Sequence, residues 1–242
     1  MEKNNEKGNL LFGKTSKQFR RNCTFENEYY LLLPTDLHTY PLIYEDCHRF
    51  TCNYEQYKDC DKVPDCPAYY KKKNKLENPR PFIMDFFSPS KNPVIFADIY
   101  LPFSLSGSSF VVSPKFHNLL NPLNIEGIQF IPVTLMENNR PKFTDFFYVH
   151  IYNYLHVLSS KNTVYQKING RKITNNILQI KFNSQKMNKI PLSNRLIFKL
   201  PSDRYYFLIH SSIAEKIISL NPIGISLLKI SNVLNTSFSI GA

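Results

Sequence analysis

Four cysteines lie within one short stretch of this 242-residue chain, and their spacing is C-x4-C-x7-C-x5-C. They are Cys47, Cys52, Cys60 and Cys66. Four thiolates around one ion would form a closed structural zinc site, in which His48 could replace one cysteine. Structural zinc sites usually contain cysteine pairs about two to four residues apart, and no such pair occurs in this stretch. A structural zinc, a disulfide formed under oxidation and free thiols therefore stay open as interpretations of this cluster.

A basic run follows the cysteines directly and is the second candidate for binding chemistry. Its lysines are Lys71, Lys72, Lys73 and Lys75, and Tyr69 and Tyr70 precede them. Lysines contact phosphates and tyrosine rings stack on bases, so the run could bind nucleic acid. The same charges fit an acidic protein surface, and a short basic cluster is also typical of a solvated loop.

The third candidate is the tyrosine-rich segment "YVHIYNYLHVL", residues 148–158. If this segment is one strand, a single face carries His150, Tyr152, Tyr154 and His156. The two histidines would then lie about 20 Å apart, which is too far for one shared metal ion. An aromatic, partly polar face of this kind is typical of a protein interface. The alternative interpretation is that another layer of the fold covers this face.

No catalytic motif accompanies these candidates. The sequence contains no Gly-x-Ser-x-Gly motif, no glycine-rich phosphate loop and no His-Glu-x-x-His motif. Its six histidines are scattered, and its acidic residues are few and mostly single. We therefore predict that the chain is not an enzyme and that it needs no cofactor other than the zinc considered above.

The charge of the chain indicates what kind of partner it has. A formal net charge of +11 favours an acidic partner, which includes an acidic protein, nucleic acid and an anionic membrane surface. No apolar run approaches the roughly 20 residues needed to cross a bilayer. The first residues, "MEKNNEKGNLLFGK", lack the long apolar segment of a signal peptide. We therefore expect a cytoplasmic bacterial protein without a membrane partner.

The apolar pattern predicts an α+β fold, with a strand-rich mixed sheet, two or more short helices and an irregular cysteine-containing loop. Residues 1–27 predict a flexible arm and residues 28–242 a single domain, from which residues 44–78 form a Cys/Lys-rich excursion. The strand-like segments include "YYLLLP", "VIFADIYL", "ILQIKF", "RLIFKLP" and "RYYFLIH".

Two helices are predicted in matching surroundings. The first has Ser113 as its N-cap and Pro114 at its first position. The second has Ser211 or Ser212 as its N-cap. A strand precedes each helix, and Leu-Asn-Pro, a glycine and a further strand follow it. The pattern indicates either a repeated strand–helix–strand unit or a coincidence of common helix-stop signals.

Several motifs follow one another between residues 28 and 231. They are "YYLLLP", "FVVSPKFHNLL", "GIQFIPVTL", "FFYVHIYNYLHVLSS", "RLIFKLP" and "YYFLIHSSIAEKIISLNPIGISLLKI". In this order they resemble an immunity-protein family of bacterial polymorphic toxin systems, immunity family eleven. An acidic residue expected in that family after the tyrosine-rich strand is absent here, where the run is "LSSKN", residues 158–162. Some members of the family carry cysteine pairs near the amino terminus, which favours the zinc interpretation.

The resemblance implies an immunity-type domain that binds a cognate secreted toxin in a stoichiometric complex and inhibits it without turnover. We expect an acidic contact face on that toxin, because this chain is basic. The predicted contact residues are the four lysines of the basic run together with the face from His150 to His156. The alternative function is a nucleic-acid-binding module that uses the basic run.

Overall fold

The computed structural model describes eight ranges of the chain. They are residues 24–34, 42–44, 74–87, 97–100, 109–137, 140–168, 171–201 and 207–232. All five cysteines, His48 and Lys71 to Lys73 lie outside these ranges. Most of the predicted arm also lies outside them, and its last residues form a short 3-10 helix, Phe25–Asn27. The prediction of a single domain stays a prediction.

Strands predominate in the described residues, and the predicted α+β fold class is confirmed. The strands are β1 Tyr29–Pro34, β2 Leu42–Tyr44, β3 Phe82–Phe87, β4 Ile99–Tyr100, β5 Ser109–Val112, β6 Ile128–Glu137, β7 Arg140–Ile151, β8 Val164–Ile168, β9 Arg171–Gln179, β10 Ile197–Lys199, β11 Phe207–His210 and β12 Ile225–Lys229. The α-helices are α1 Pro114–Leu120, α2 Ser184–Lys189 and α3 Ser211–Ser219. Further 3-10 helices are Asn121–Leu123, Leu192–Arg195 and Ile230–Asn232. None of the helices in the described ranges has the length and apolar character that crossing a membrane requires.

The strands form a six-stranded sheet, a four-stranded sheet and a separate hairpin. The six-stranded sheet has the order β2-β3-β6-β7-β5-β4, in which only β3 and β6 are parallel neighbours. The four-stranded sheet has the order β10-β11-β1-β12, and all of its neighbours are antiparallel. The hairpin consists of β8 and β9.

Both predicted strand–helix–strand segments have the same topology. In the first, β5 and β6 flank β7 and are both antiparallel to it, and α1 connects them. In the second, β11 and β12 flank β1 and are both antiparallel to it, and α3 connects them. Each unit therefore holds two mutually parallel strands that a third, antiparallel strand separates.

A glycine precedes the last strand of each unit, in a backbone conformation that residues with a side chain rarely adopt. Gly127 has a φ of 83° and Gly224 a φ of 94°, in the left-handed region. A Cβ on Gly127 would lie 2.3 Å from the Cβ of Asn153. A Cβ on Gly224 would lie 2.4 Å from the Cβ of Ala97. Both glycines therefore permit a close approach of the chain that packs against the unit.

The two helices begin differently. Ser113 occupies the predicted N-cap position of α1, but its hydroxyl donates to Asp98 Oδ1 at 3.0 Å and does not cap the helix. The predicted serine cap of α3 was wrong, because His210 is the N-cap and its Nδ1 accepts the Ser212 N–H at 3.2 Å. A helix that the sequence did not predict, α2, begins where the Asn183 side chain accepts the Lys186 N–H.

Apolar clusters cover the two sheets unequally. The four-stranded sheet contributes Leu32 and Phe207 to the cluster that contains α1 and α3, and Leu31 to a second cluster on its opposite face. The six-stranded sheet buries Met84 and Tyr148 in a third cluster. Its opposite face contributes to the helix cluster mainly from β5 and β7, and no helix of the described ranges covers the part of that face where Ile83 and Pro132 are exposed.

The tyrosine-rich segment is not one continuous strand, contrary to its alternating pattern. Strand β7 ends at Ile151, and the following residues join the two sheets. The Tyr152 N–H donates to the Gly127 carbonyl at 2.9 Å. The Lys199 N–H donates to the Asn153 carbonyl at 2.9 Å, and the Leu155 N–H donates to the Lys199 carbonyl at 3.0 Å. Backbone pairing with β10 therefore replaces the predicted strand geometry.

Candidate functional site

A groove of about 440 Å³ lies beside the end of α1, on the six-stranded sheet. Side chains and backbone of the helix end, of β6 and β7 and of the segment before β3 line it. These residues are Lys75, His117, Asn121, Asn124, Ile125, Glu126, Ile128, Phe130, Pro132, Phe147 and Tyr152. The lining is mostly polar, and Phe130, Pro132 and Phe147 supply part of its apolar surface.

The floor of the groove belongs to a part of the sheet that α1 leaves uncovered. The helix has seven residues and packs on β5 and β7. Pro132 on β6 lies directly opposite Phe147 on β7, and Ile83 on β3 lies opposite Thr134 on β6. Because residues two apart on a strand share a face, Pro132 and Thr134 place Ile83 on the same face as the groove floor.

We call Ile83, Phe130, Pro132 and Phe147 the open sheet face. Ile83 is 44% exposed, Pro132 is also exposed, and the two phenylalanines are half-buried. Most β-sheets in mixed folds are covered where they are apolar, so an apolar stretch that the described residues leave exposed is a candidate for contact with another molecule. The open sheet face is therefore the strongest candidate for a binding surface in the described part of the chain.

Aromatic stacking fixes the wall between α1 and this face. The His117 ring lies flat on the Phe147 ring, with centroids 3.7 Å apart and planes at 9°. The Phe130 ring meets the His117 ring at 4.9 Å and 86°, in an edge-to-face arrangement. These contacts hold three rings in one rigid group, which a partner would meet without the cost of ordering them.

The rim of the groove carries charged and polar groups. Lys75 and Glu126 are exposed, and Tyr152 is half-buried. Burial raises the pKa of the Tyr152 hydroxyl, the negative charge of Glu126 raises it further, and a hydrogen bond from the Gly127 backbone opposes the rise. The hydroxyl therefore stays protonated at neutral pH and offers a hydrogen-bond donor within the groove.

The end of the basic run is held against the same sheet. The Gln129 side chain accepts the Leu76 N–H at 2.7 Å and donates to the Leu76 carbonyl at 3.1 Å. The His150 Nε2 lies 2.9 Å from the Asn74 carbonyl oxygen. These bonds place Lys75 at the rim of the groove.

The structure separates the residues that the sequence placed on one face. Tyr152 and Lys75 line the groove together, whereas His150 is 1% exposed and lies below the segment that contains Leu76. The Tyr154 ring lies 5.2 Å from the Lys199 Nζ. His156 is exposed, and its carbonyl accepts a hydrogen bond from Lys186. Whether any of these residues contacts a partner stays a prediction.

Sequence reasoning did not select His117, Phe130 or Phe147 as site residues. A signal exists in the motif "GIQFIPVTL", because Phe130 and Pro132 alternate with buried Ile131 and Val133. A strand that is apolar on both faces requires a cover on both sides, and α1 is too short to supply the second one.

A serine, a histidine and a carboxylate meet at the start of α3. The Ser212 Oγ lies 2.9 Å from His210 Nδ1, and the Glu28 carboxylate lies 3.8 Å from His210 Nε2. The same Nδ1 accepts the Ser212 N–H, and Glu28 also pairs with Arg195 at 3.4 Å. The arrangement therefore serves to begin the helix, because the ring nitrogen that would activate a nucleophile is used as a cap.

The four-stranded sheet contains a buried lysine. Lys199 is 1% exposed, and its Nζ lies 5.4 Å from the Phe207 ring as well as near Tyr154. Burial lowers the pKa of Lys199 to about 7. In the described residues, no group of three or more histidines, cysteines or carboxylates is placed to hold a metal ion. The zinc interpretation concerns cysteines outside those residues and stays a prediction.

Comparison with known proteins gives the chain a family. No curated protein matches it. The family model described as "Immunity protein family (Imm11)" matches residues 14–231. The match includes both strand–helix–strand units, the groove and the hairpin. Because it covers most of the chain, this protein belongs to the Imm11 immunity protein family, and that membership implies a toxin partner.

Proposed function

We propose that this chain neutralises a cognate bacterial toxin in the cytoplasm by forming a one-to-one complex, and that the open sheet face is the surface that contacts the toxin. Membership in an immunity protein family supports the toxin partner. The uncovered apolar face at the end of α1 is the observation that supports the location.

The composition of this surface suits a tight protein interface. Interface centres are enriched in aromatic residues, which bury a large area and lose little side-chain entropy on binding. Phe130, Phe147 and His117 supply such a centre, and their mutual stacking holds them in place before the partner arrives. Lys75, Glu126 and Tyr152 supply the polar rim that such an interface needs.

Inhibition by binding also agrees with the chemistry of the groove. Its imidazole, His117, is packed between two phenylalanine rings, a geometry that serves stacking more than proton transfer. A stoichiometric inhibitor needs a rigid surface of about 600–1,000 Å² on its side of the interface, and the groove with its surroundings offers the centre of such a patch.

Two matched substitutions test the location. Ile83 on the open sheet face is 44% exposed, and Ile218 on the outer side of α3 is 49% exposed. We expect Ile83→Arg to weaken binding of the catalytically inactivated toxin from the neighbouring gene by about 100-fold, because it places a charge in the interface centre. We expect Ile218→Arg to change the affinity by less than about 3-fold. Calorimetric titration measures both affinities and the stoichiometry.

The titration also has outcomes that contradict the proposal. Equal affinities of the two variants and the wild type would place the interface elsewhere. Absence of any complex with the neighbouring toxin, together with failure to protect cells that express it, would contradict the function itself. Micromolar binding to a generic DNA duplex with a steep salt dependence would instead favour the nucleic-acid-binding alternative.

A further inference from the structure

The net positive charge of this chain comes mainly from one segment that has no acidic residue. Residues 146–202 contain nine lysines and arginines and no aspartate or glutamate, although the whole chain has a net charge of +11. The nine residues are Lys161, Lys167, Arg171, Lys172, Lys181, Lys186, Lys189, Arg195 and Lys199. Most of the net charge therefore resides in less than a quarter of the sequence.

The fold gathers seven of these nine residues into one structural unit. We call residues 159–189, which contain the hairpin β8–β9 and the helix α2, the basic lobe. The Ser159 N–H and the Thr163 hydroxyl both donate to the Lys181 carbonyl, at 2.7 Å and 3.0 Å, and close the base of the hairpin. Ile177 and Met187 anchor the hairpin and α2 in the same apolar cluster.

The hairpin register places like charges opposite each other. Lys167 and Lys172 are direct cross-strand partners, and Arg171 is the partner of the next residue, Ile168. These two successive cross-strand pairs therefore contain three basic residues and no acidic residue. Near the base of the lobe, Lys161 and Lys189 are exposed.

We infer that the basic lobe is a second docking surface, which takes an acidic face of the toxin and speeds its association. This inference rests on the proposed function and adds the chemistry of the second contact. The lobe packs on a different apolar cluster from the open sheet face, so the two surfaces can be altered independently. Long-range attraction between opposite charges raises association rates more than it lowers dissociation rates.

Charge reversal in the lobe tests the inference by stopped-flow association with the inactivated toxin of the neighbouring gene. We expect the triple variant Lys161→Glu, Lys172→Glu and Lys189→Glu to associate at least about 10-fold more slowly at low ionic strength. Lys161→Glu alone should slow association about 3-fold without lowering the thermal midpoint, because Lys161 is exposed. Lys216→Glu on α3 is the matched control, since Lys216 is also exposed.

Each outcome decides a separate point. An unchanged association rate of the triple variant, with normal toxin binding by the wild type, would overturn the inference and leave the proposed function intact. An equal loss in Lys216→Glu would show that only net charge matters and would overturn it too. Lack of toxin binding by the wild type would contradict the proposed function. Tight duplex binding that the triple variant loses would make the lobe a nucleic-acid site instead.

Discussion

The two strand–helix–strand units share a topology but differ in how much of the sheet each helix covers. Helix α3 has nine residues, and the four-stranded sheet beside it has buried apolar residues on both faces. Helix α1 has seven residues and ends at Leu120, beyond which Phe130 and Phe147 stay half-buried. The open sheet face thus exists in the α1 unit because its helix stops before the apolar face of its sheet ends.

The difference separates what stabilises the fold from what is available to a partner. In the α3 unit, Ile213 and Ile217 are buried in the core, so substitutions there report on stability. In the α1 unit, Phe130 and Phe147 pack against the helix cluster from beyond the end of α1, and each stays half-buried, so part of each side chain remains exposed to a partner. Substitutions at features that both units share should change stability, whereas substitutions on the open sheet face should change the affinity for a partner.

The largest expected effect tests whether the two units are equivalent. We expect Gly127→Ala and Gly224→Ala each to lower the free energy of unfolding by about 3 kcal/mol or more, because both glycines have positive φ and no space for a Cβ. Urea denaturation measures the change. Asn124→Gly, at a φ of 45°, is the control and should be neutral or slightly stabilising. A loss below about 1 kcal/mol at either glycine would contradict the equivalence.

The next largest effect concerns the four-stranded sheet and its buried lysine, Lys199. Because the pKa of Lys199 is lowered to about 7, the unfolded chain binds this proton more readily than the folded chain between pH 7 and about 10.5. Stability from this site should therefore rise with pH across that range. We expect Lys199→Met to remove the rise and to stabilise the protein at pH 7 by about 2 kcal/mol.

Denaturation at several pH values distinguishes the contribution of Lys199 from a general effect of net charge. Lys229→Met on β12, the opposite edge strand of the same sheet, is the control, because this lysine is only half-buried; the variant should keep the pH dependence. A Lys199→Met variant that keeps the wild-type pH dependence would show that Lys199 remains charged throughout this range.

A smaller effect concerns the link between the units. The Asp98 carboxylate accepts the Ser113 hydroxyl and the Ile223 N–H, both at 3.0 Å, and lies 3.6 Å from the Lys115 ammonium group. It thus connects the start of α1 to the turn after α3. We expect Asp98→Ala to cost about 1.5–2 kcal/mol, since it leaves these donors unsatisfied. Glu137→Ala removes an exposed pair with Lys142 and should cost less than about 0.5 kcal/mol.

The smallest effect distinguishes the two helix starts. Burial lowers the pKa of His210, the Arg195 charge lowers it further, and Glu28 and Glu215 oppose the shift. The neutral ring is thus favoured in the folded state, and its stabilisation is present above pH 6.5 and is lost as pH falls through the lowered pKa. Protonation also removes the cap on Ser212, worth about 1 kcal/mol.

His210→Asn, which retains a capping side chain, should remove this acid sensitivity in thermal unfolding measured between pH 5 and 7. An unchanged acid sensitivity in that variant would contradict the assignment.

Sequence patterns predicted the strands and helices whose formation depends on residues close together in the sequence. The strand Tyr29–Pro34 follows from a continuous apolar run that ends in proline, and α1 follows from Pro114 at its first position. Helix α2 was missed because its six residues are too few to show an apolar period, although Asn183 is a favourable N-cap residue. The end of β7 at Ile151 depends on backbone pairing with Gly127 and β10, which lie far away in the sequence.

The sequence revealed the candidate site only in part, because much of the site depends on contacts between residues that are distant in the sequence. Lys75 and Tyr152 stood out by residue type, and both line the groove. The sequence could not show that His150 lies below the segment around Leu76, since this depends on a contact across 76 residues. The sequence also could not reveal the open sheet face, because the area of the sheet that α1 covers depends on how the helix packs on its strands.

Hydrogen exchange of the toxin complex tests the central claim most directly, because it compares the two units in one experiment. The informative segments are residues 121–127 at the groove and the corresponding turn of the α3 unit, residues 220–224. We predict that toxin binding slows exchange at least about 10-fold in residues 121–127 and leaves residues 220–224 unchanged. Protection of the α3 turn with no change beside the groove would contradict the claim that the uncovered sheet of the α1 unit binds the toxin.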